Sequence, residues 1–340
     1  MSTNSKTYGI LVIGCGHIGC QHLDDIYYRD DINIVAVVDA NIELAKLAAK
    51  KYNAKYFSDN YKEFLTNPEI DIVIVATYTD SHLAITKECA QNGKHVLCEK
   101  PIATNKQDGD DFIDLINSSN VKIQIAHILR HNETYKKIRE IILSGQIGEI
   151  ELIRMVQNHN TKNWERYCRL LSDCMPAVDC GVHYYDVIRW LTDCEFTEIS
   201  GYGAKLDADS PTLNFNVVNF KLNNGCVGYY EVGWGKNLSA ESVKEFIGTK
   251  GRITLVMQDQ RGAGSIDGDA IHIFKQDSNE ETVINVKCAY KNMYAQLKSL
   301  INSIENNLEP TPSTFDVKKA FDIALAAKDA ITSGTTITLN

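Results

Sequence analysis

The sequence predicts an α/β protein: a doubly wound parallel sheet, followed by an α+β domain with a mostly antiparallel open sheet. Three observations carry this. Short apolar runs alternate with helical periodicity over roughly the first 125 residues. The opening run ends in Gly14-Cys15-Gly16-His17-Ile18-Gly19, and the second ends in Asp39, twenty residues past Gly19. Beyond Gly148 the chain turns to long strand-like segments with few helices between them.

In order, strands are expected at 8–13, 33–38, 54–57, 71–76, 94–98 and 121–126, and helices at 17–28, 41–51, 60–66, 81–92 and 105–118. The run from Asp71 to Ala76 lacks polar alternation, as in a strand covered on both faces. Asn60 and Asp80 are placed as helix caps. Right-handed crossovers stack these units into one domain. A helix over 132–143 ends at Ser144-Gly145-Gln146-Ile147-Gly148. Strands follow near 149–158, 197–204, 213–222, 225–234, 240–247, 251–257, 270–275 and 281–286, with a helix over 176–192 set among them. Asn223-Asn224-Gly225 and Gly248-Thr249-Lys250-Gly251 read as hairpin turns. Helices over 292–307 and 316–331 are expected to pack back on the first domain, before a last strand at 334–339. The domains are thus 1–126 and 127–340. The glycine-rich loop 258–269 is expected to be mobile.

With 340 residues, 23% of them charged, and a net charge of -9, the chain reads as an acidic, solvated protein. No basic tract suggests nucleic acid, and no apolar stretch has the length to span a bilayer. The short polar N-terminus lacks the apolar core of a signal peptide, which makes the cytoplasm the expected location. The ten cysteines form no CxxC pair and sit largely in apolar segments. They read as reduced fillers, and no metal is expected.

The glycine motif lies between a strand and a helix, the context in which it binds a dinucleotide. Gly14 allows the turn, Gly16 lets backbone approach the pyrophosphate, and Gly19 lets helix and strand pack closely. The phosphates meet the positive end of a helix that begins with His17 and Ile18. Asp39 accepts hydrogen bonds from a ribose diol and repels a 2′-phosphate, predicting NAD over NADP. Ala40-Asn41-Ile42 supplies no arginine to reverse that preference.

Two further groups can do chemistry. Cys98-Glu99-Lys100-Pro101 follows the fifth strand, and ligands bind at the carboxyl ends of such strands. Lys100 can donate to a hydroxyl or stabilise a developing alkoxide. In the helix over 176–192, Asp179 and His183 are spaced i, i+4, and Asp186 is placed to orient the His183 ring. A histidine of near-neutral pKa is the natural base for a hydroxyl proton. Together these residues suit oxidation of a secondary alcohol to a ketone.

These motifs resemble the glucose–fructose oxidoreductase / inositol dehydrogenase / rhizopine-catabolism (Gfo/Idh/MocA) family over nearly the whole chain. The resemblance implies an N-terminal Rossmann domain, then an α/β domain whose open sheet often forms an oligomer interface. The family's Glu-Lys-Pro motif falls on Glu99-Lys100-Pro101, and its Asp-x-Gly-x-His motif on Asp179 to His183. It implies that Lys100, Asp179 and His183 are catalytic, with Asp179 and His183 also binding sugar or cyclitol. The loop after the fourth strand keeps Thr77 and His82 of the family's Thr-Pro-x-x-x-His, with Tyr78 replacing proline. That loop implies cofactor contact for Thr77 and His82, and Glu99 is grouped with them. Arg130, Trp164 and Tyr167 are placed on the substrate side. Where many family dehydrogenases carry a glycine-rich stretch, this chain has Leu171-Ser172-Asp173-Cys174-Met175-Pro176, which implies a different sugar pocket.

The sequence reading is an NAD-dependent oxidoreductase acting on a secondary hydroxyl of a sugar, cyclitol or sugar derivative, as a homodimer or homotetramer. Two competing readings are a family enzyme that keeps its cofactor through turnover, and a non-enzymatic dinucleotide-binding regulator.

Overall fold

A computed structural model describes residues 6–257, 268–287 and 291–339. Most of the loop expected to be mobile, 258–267, lies outside the described residues. The chain divides into two units, Met1–Ile128 with Asn292–Lys318, and Leu129–Lys291 with Lys319–Asn340.

In the first unit the elements alternate: β1 Tyr8–Ile13, α1 His17–Ile26, β2 Ile32–Val38, α2 Ile42–Tyr52, β3 Tyr56–Ser58, β4 Ile72–Val75, α3 His82–Gln91, β5 His95–Cys98, α4 Lys106–Ser118 and β6 Ile123–Ile125. All six strands pair in parallel in the order β3-β2-β1-β4-β5-β6. The order reverses beside β1, so the β1/β4 carboxyl ends form the crevice where such sheets bind ligands. β1 and β4 are buried along their whole length, as their unbroken apolar sequence requires. The predicted helix over 60–66 is instead a 3-10 turn, Tyr61–Phe64, still capped by the Asn60 side chain.

The second unit opens with α5 Glu133–Leu143 and β7 Ile150–Asn160, then three helices: α6 Trp164–Asp173, α7 Pro176–Asp179 and α8 Gly181–Thr192. The strands β8 Phe196–Ala204, β9 Phe215–Leu222, β10 Val227–Gly235, β11 Glu241–Gly248, β12 Gly251–Val256, β13 Asp269–Lys275 and β14 Glu280–Val286 follow. Helices α9 Met293–Glu305 and α10 Thr314–Ser333 precede a short β15, Ile337–Thr338. The nine strands are ordered β14-β13-β12-β11-β7-β10-β9-β8-β15, antiparallel except where β10 runs parallel to β7. Both predicted hairpin turns are present, joining β9 to β10 and β11 to β12.

One face of this sheet carries the core. Ile153 and Met155 of β7 lie opposite Phe246 and Lys244 of β11, and Met155 also lies opposite Tyr230 of β10. Against that face pack Ile138 and Ile141 of α5, Val182, Tyr185 and Ile188 of α8, and Ala324 and Ala327 of α10. Helix α9 belongs to the first unit, where Leu297, Leu300 and Ile301 join the core around Leu23 and Ile26 of α1. Polar ties hold it there: Tyr294 donates its backbone N–H to Asp25 and its hydroxyl to Asp31, and Lys298 pairs with Asp31 at 3.0 Å. Among the described residues no helix is long and apolar enough to cross a membrane.

Two departures from the sequence reading bear on the site. The first is α6, which was not foreseen. Asn163 caps it by accepting from the Arg166 N–H, and it buries only Leu171. The second is the helix expected over 176–192, which is split into α7 and α8 at Cys180. The Tyr185 hydroxyl donates to the Ala177 carbonyl at 3.1 Å, an acceptor that an unbroken helix would give to the Gly181 N–H. The Tyr185 ring lies against Gly181, where an added Cβ would meet it at 2.7 Å.

Candidate active site

The glycine loop is built by the packing of β1, α1 and β4. Gly14 has φ +96°, and a side chain there would run into the Ala76 carbonyl at the end of β4. A methyl at Gly19 would overlap the Gly14 carbonyl oxygen. Gly16 is different: its missing side chain faces open space, so no packing within the protein requires glycine there. That open space would let a ligand approach the backbone, the use such a loop makes of glycine at this place. Gly16 is also the N-cap of α1, with no side-chain cap bond and no acid in the first turn. The helix start at His17 is exposed, the position at which a helix dipole favours an anion. Asp39 at the tip of β2 accepts from the Cys15 N–H through Oδ2 and the Asn41 N–H through Oδ1, both at 2.8 Å. These bonds hold the carboxylate beside the loop and leave lone pairs on both oxygens for a diol. Burial, with help from Asp39 and Cys20, pushes the Cys15 thiol up to about 12, so it acts as a filler.

The Glu99-Lys100-Pro101 turn leaves the carboxyl end of β5. Glu99 is buried, and its Oε1 is 2.9 Å from Nε2 of His22 on α1. Its Oε2 accepts the Lys100 N–H at 3.4 Å. Lys100 is half-buried. His82, the first residue of α3, is 1% exposed. Its Nδ1 lies 3.0 Å from the Pro101 carbonyl oxygen and its Nε2 lies 3.1 Å from that of Thr77. Burial lowers the His82 pKa against the opposing pull of those two carbonyls. Both ring nitrogens thus face protein carbonyls, and His82 ties the loop after β4 to the turn after β5. The Thr77 hydroxyl accepts from Ser81 at 2.7 Å within the same loop.

In the second unit, Asp179 ends α7 and His183 lies in the first turn of α8, both half-buried. The Cys180 thiol lies 3.7 Å from Asp179 Oδ2. The sequence assigned Arg130 to the substrate side and Asp186 to His183; the structure joins these two to each other. Arg130 Nε and Nη2 donate to the two Asp186 oxygens at 2.9 and 2.8 Å, with both residues buried. Trp164 donates its indole N–H to Asp209 at 2.8 Å and lies beneath the Lys236 ammonium. The Tyr167 hydroxyl is 3.1 Å from Nδ1 of His159, and its ring meets Trp234 edge-on at 5.4 Å.

Family models match both units: an oxidoreductase family with an NAD-binding Rossmann fold over residues 8–127, and the GFO/IDH/MocA C-terminal domain over residues 135–254. The chain belongs to the Gfo/Idh/MocA family. Among curated relatives, it is 24% identical over 333 residues to myo-inositol 2-dehydrogenase of Thermotoga maritima, covering 94% of this chain and 95% of that one. It is 21% identical over 336 residues to scyllo-inositol 2-dehydrogenase (NAD(+)) of Bacillus subtilis, covering 97% and 95%. Two solved structures share the fold. Myo-inositol 2-dehydrogenase from Lactobacillus plantarum has a TM-score of 0.82 at 19% identity, covering 98% of this chain and 100% of that one. Scyllo-inositol dehydrogenase from Lactobacillus casei with bound NAD(H) and scyllo-inositol has a TM-score of 0.77 at 20% identity, covering 98% and 99%.

Three residues of this family member escaped the sequence reading. His22 follows the last motif glycine by three positions and is fully buried, a polar residue on the inner stripe of α1. His159 shares the inner face of β7 with Ile153 and Met155, a parity visible in the strand's alternation. Burial, then the charges of Lys244, Lys291 and Arg166, hold its pKa down. Lys244 is 1% exposed, donates to the Val156 carbonyl and to Ser242, and lies 5.2 Å from the centre of the Tyr184 ring. A lysine at core parity in a strand was the available signal.

Proposed function

We propose that this family member is an NAD-dependent dehydrogenase that oxidises a secondary hydroxyl of a cyclitol or sugar to a ketone. The observation that carries this is Lys100, which leaves β5 at the same carboxyl edge of the sheet that holds the glycine loop and Asp39. The family's Glu-Lys-Pro and Asp-x-Gly-x-His motifs, on Lys100 and His183, assign these two residues to the reacting hydroxyl. His183 accepts its proton, and Lys100 stabilises the oxygen as negative charge develops. Asp179 holds a neighbouring hydroxyl or the His183 ring. Bound nicotinamide supplies the hydride acceptor, because protein side chains cannot take up a hydride. Proton and hydride leave the same alcohol, so the product is a ketone.

Asp39 supports NAD over NADP, since its carboxylate opposes a 2′-phosphate and suits a 2′-hydroxyl. The inositol dehydrogenases among the relatives support a cyclitol as substrate. The homodimer or homotetramer implied by the family resemblance belongs to the same proposal.

The test is reduction of NAD, with NADP in parallel, across inositols, aldoses, amino sugars and uronic acids. The expected result is NADH formation with one class, abolished by Lys100→Ala and by His183→Ala. Failure across the panel, with a nucleotide retained by the purified protein, would instead favour an enzyme that keeps its cofactor through turnover.

A further inference from the structure

Two buried histidines take no part in that chemistry, yet both grip the segment that carries Lys100. His22 is 0% exposed and His82 1%. With Glu99 ionised its Oε1 can only accept, and His22 Nε2 is then the donor at 2.9 Å. The other Glu99 oxygen accepts the Lys100 N–H, and the Glu99 N–H donates to the Val75 carbonyl. On the far side of Lys100, the Pro101 carbonyl faces His82 Nδ1 at 3.0 Å. The residue before the lysine is therefore anchored to α1, and the residue after it to α3. Lys100 alone in this turn stays half-exposed.

Stability alone is a poor reason for the Glu99–His22 contact. Burying a carboxylate is costly, and a well-packed apolar pair of similar volume often does as well or better. What a hydrogen bond adds over an apolar contact is direction. An apolar pair would leave the turn free to slide by a fraction of an ångström, and catalysis is sensitive to displacements of that size.

We propose that His22 and His82 are positioning residues for Lys100, clamping the Glu99–Pro101 turn so that the ammonium is held where the substrate oxygen is presented. His22 rides on α1, whose start forms the dinucleotide loop, so the same helix serves cofactor seat and lysine. This rests on the reading of Lys100 as the group that stabilises the reacting oxygen.

The test uses His22→Leu, which removes the donor, and His22→Gln, whose amide nitrogen can take the place of Nε2. His82→Leu and His82→Asn form the matching pair, since the Asn nitrogen reaches where Nδ1 lies. Lysines are labelled by reductive 13C-methylation, and the Lys100 signal is assigned by its loss in Lys100→Arg. In His22→Leu the Lys100 signal is expected to move toward the position of exposed lysines, without any cofactor present. Calorimetry with NAD should give near wild-type affinity. With the panel alcohol that wild type oxidises, kcat should fall roughly 10–100-fold, as for a misplacement near 1 Å. His22→Gln should restore both signal and kcat. An unmoved Lys100 signal with unchanged kcat, or a loss confined to NAD affinity, would overturn the clamp. Full activity in Lys100→Ala would overturn the catalytic reading instead, so the two failures are distinct. If His22→Leu does not fold, Glu99→Gln replaces it. Its carboxamide can keep the His22 bond while turning an N–H toward the Lys100 N–H, and the Lys100 signal should still move. A signal that stays put there refutes the proposal.

Discussion

The buried Arg130–Asp186 pair separates a structural arginine from a substrate-binding one. Arg130→Ala leaves a carboxylate that is 0% exposed without its bidentate partner. Breaking a buried pair from one side costs about 3–5 kcal/mol, because the remaining charge is uncompensated. In a unit of this size each kcal/mol is worth about 2–4 °C, so the melting transition should drop by roughly 6–20 °C. The double substitution Arg130→Met, Asp186→Leu removes both charges and should recover most of that loss. Differential scanning calorimetry on the whole chain reads both. If Arg130 instead served the substrate, Arg130→Ala would raise KM and leave the transition within about 2 °C, inside the range of an ordinary surface change. That outcome, or a double variant no better than the single one, would refute the structural assignment.

Two further outcomes follow from the same geometry. Asp39→Asn keeps an acceptor but removes the charge that holds the Cys15 and Asn41 N–H groups. Hydrogen bonds to a charged group are worth about 1.5–3 kcal/mol, so NAD affinity should fall at least about tenfold while discrimination against NADP narrows. Calorimetric titration with each nucleotide checks this, and an unchanged NAD-to-NADP ratio contradicts the role of Asp39. His82, His95 and His159 have pKa values lowered chiefly by burial. The unfolded chain takes up protons near pH ~6.5, while the folded chain does so only at lower pH. Stability from these groups is present above that value and is lost as pH falls below it toward the folded pKa values. Melting temperature should therefore decline on acidification from about pH 7.5 to about 5, and His82→Asn should flatten part of the slope. A slope identical in wild type and variant would contradict this.

What the sequence revealed follows from how locally each feature is encoded. β1, the glycine turn and α1 are specified by contiguous residues, because strand burial, the positive φ of Gly14 and the helix start each depend on near neighbours. The same holds for Lys100, whose place at the end of β5 follows from the apolar run before it. The break at Cys180 was not legible, since it depends on a hydroxyl eight positions from the carbonyl it binds. Nor was the partner of Arg130, which lies 56 positions away. Local spacing sets Asp186 one turn from His183, whereas only tertiary packing brings a guanidinium to it. By contrast, α6 could have been found: Trp164, Tyr167 and Leu171 fall on one helical stripe behind an Asn cap. The buried His22 follows the motif glycines by a single turn, where a histidine at core parity carries no local sign of its distant partner Glu99.

The most direct test of the dehydrogenase assignment follows the hydrogen itself. The protein is incubated with NAD and C-deuterated members of the alcohol panel, myo- and scyllo-inositol first, and the nucleotide is analysed by mass spectrometry. Reduced nucleotide carrying a single deuterium, together with the ketone, is the predicted result. NAD recovered unreduced from every alcohol, or reduced nucleotide without deuterium, would contradict direct hydride transfer from a secondary alcohol.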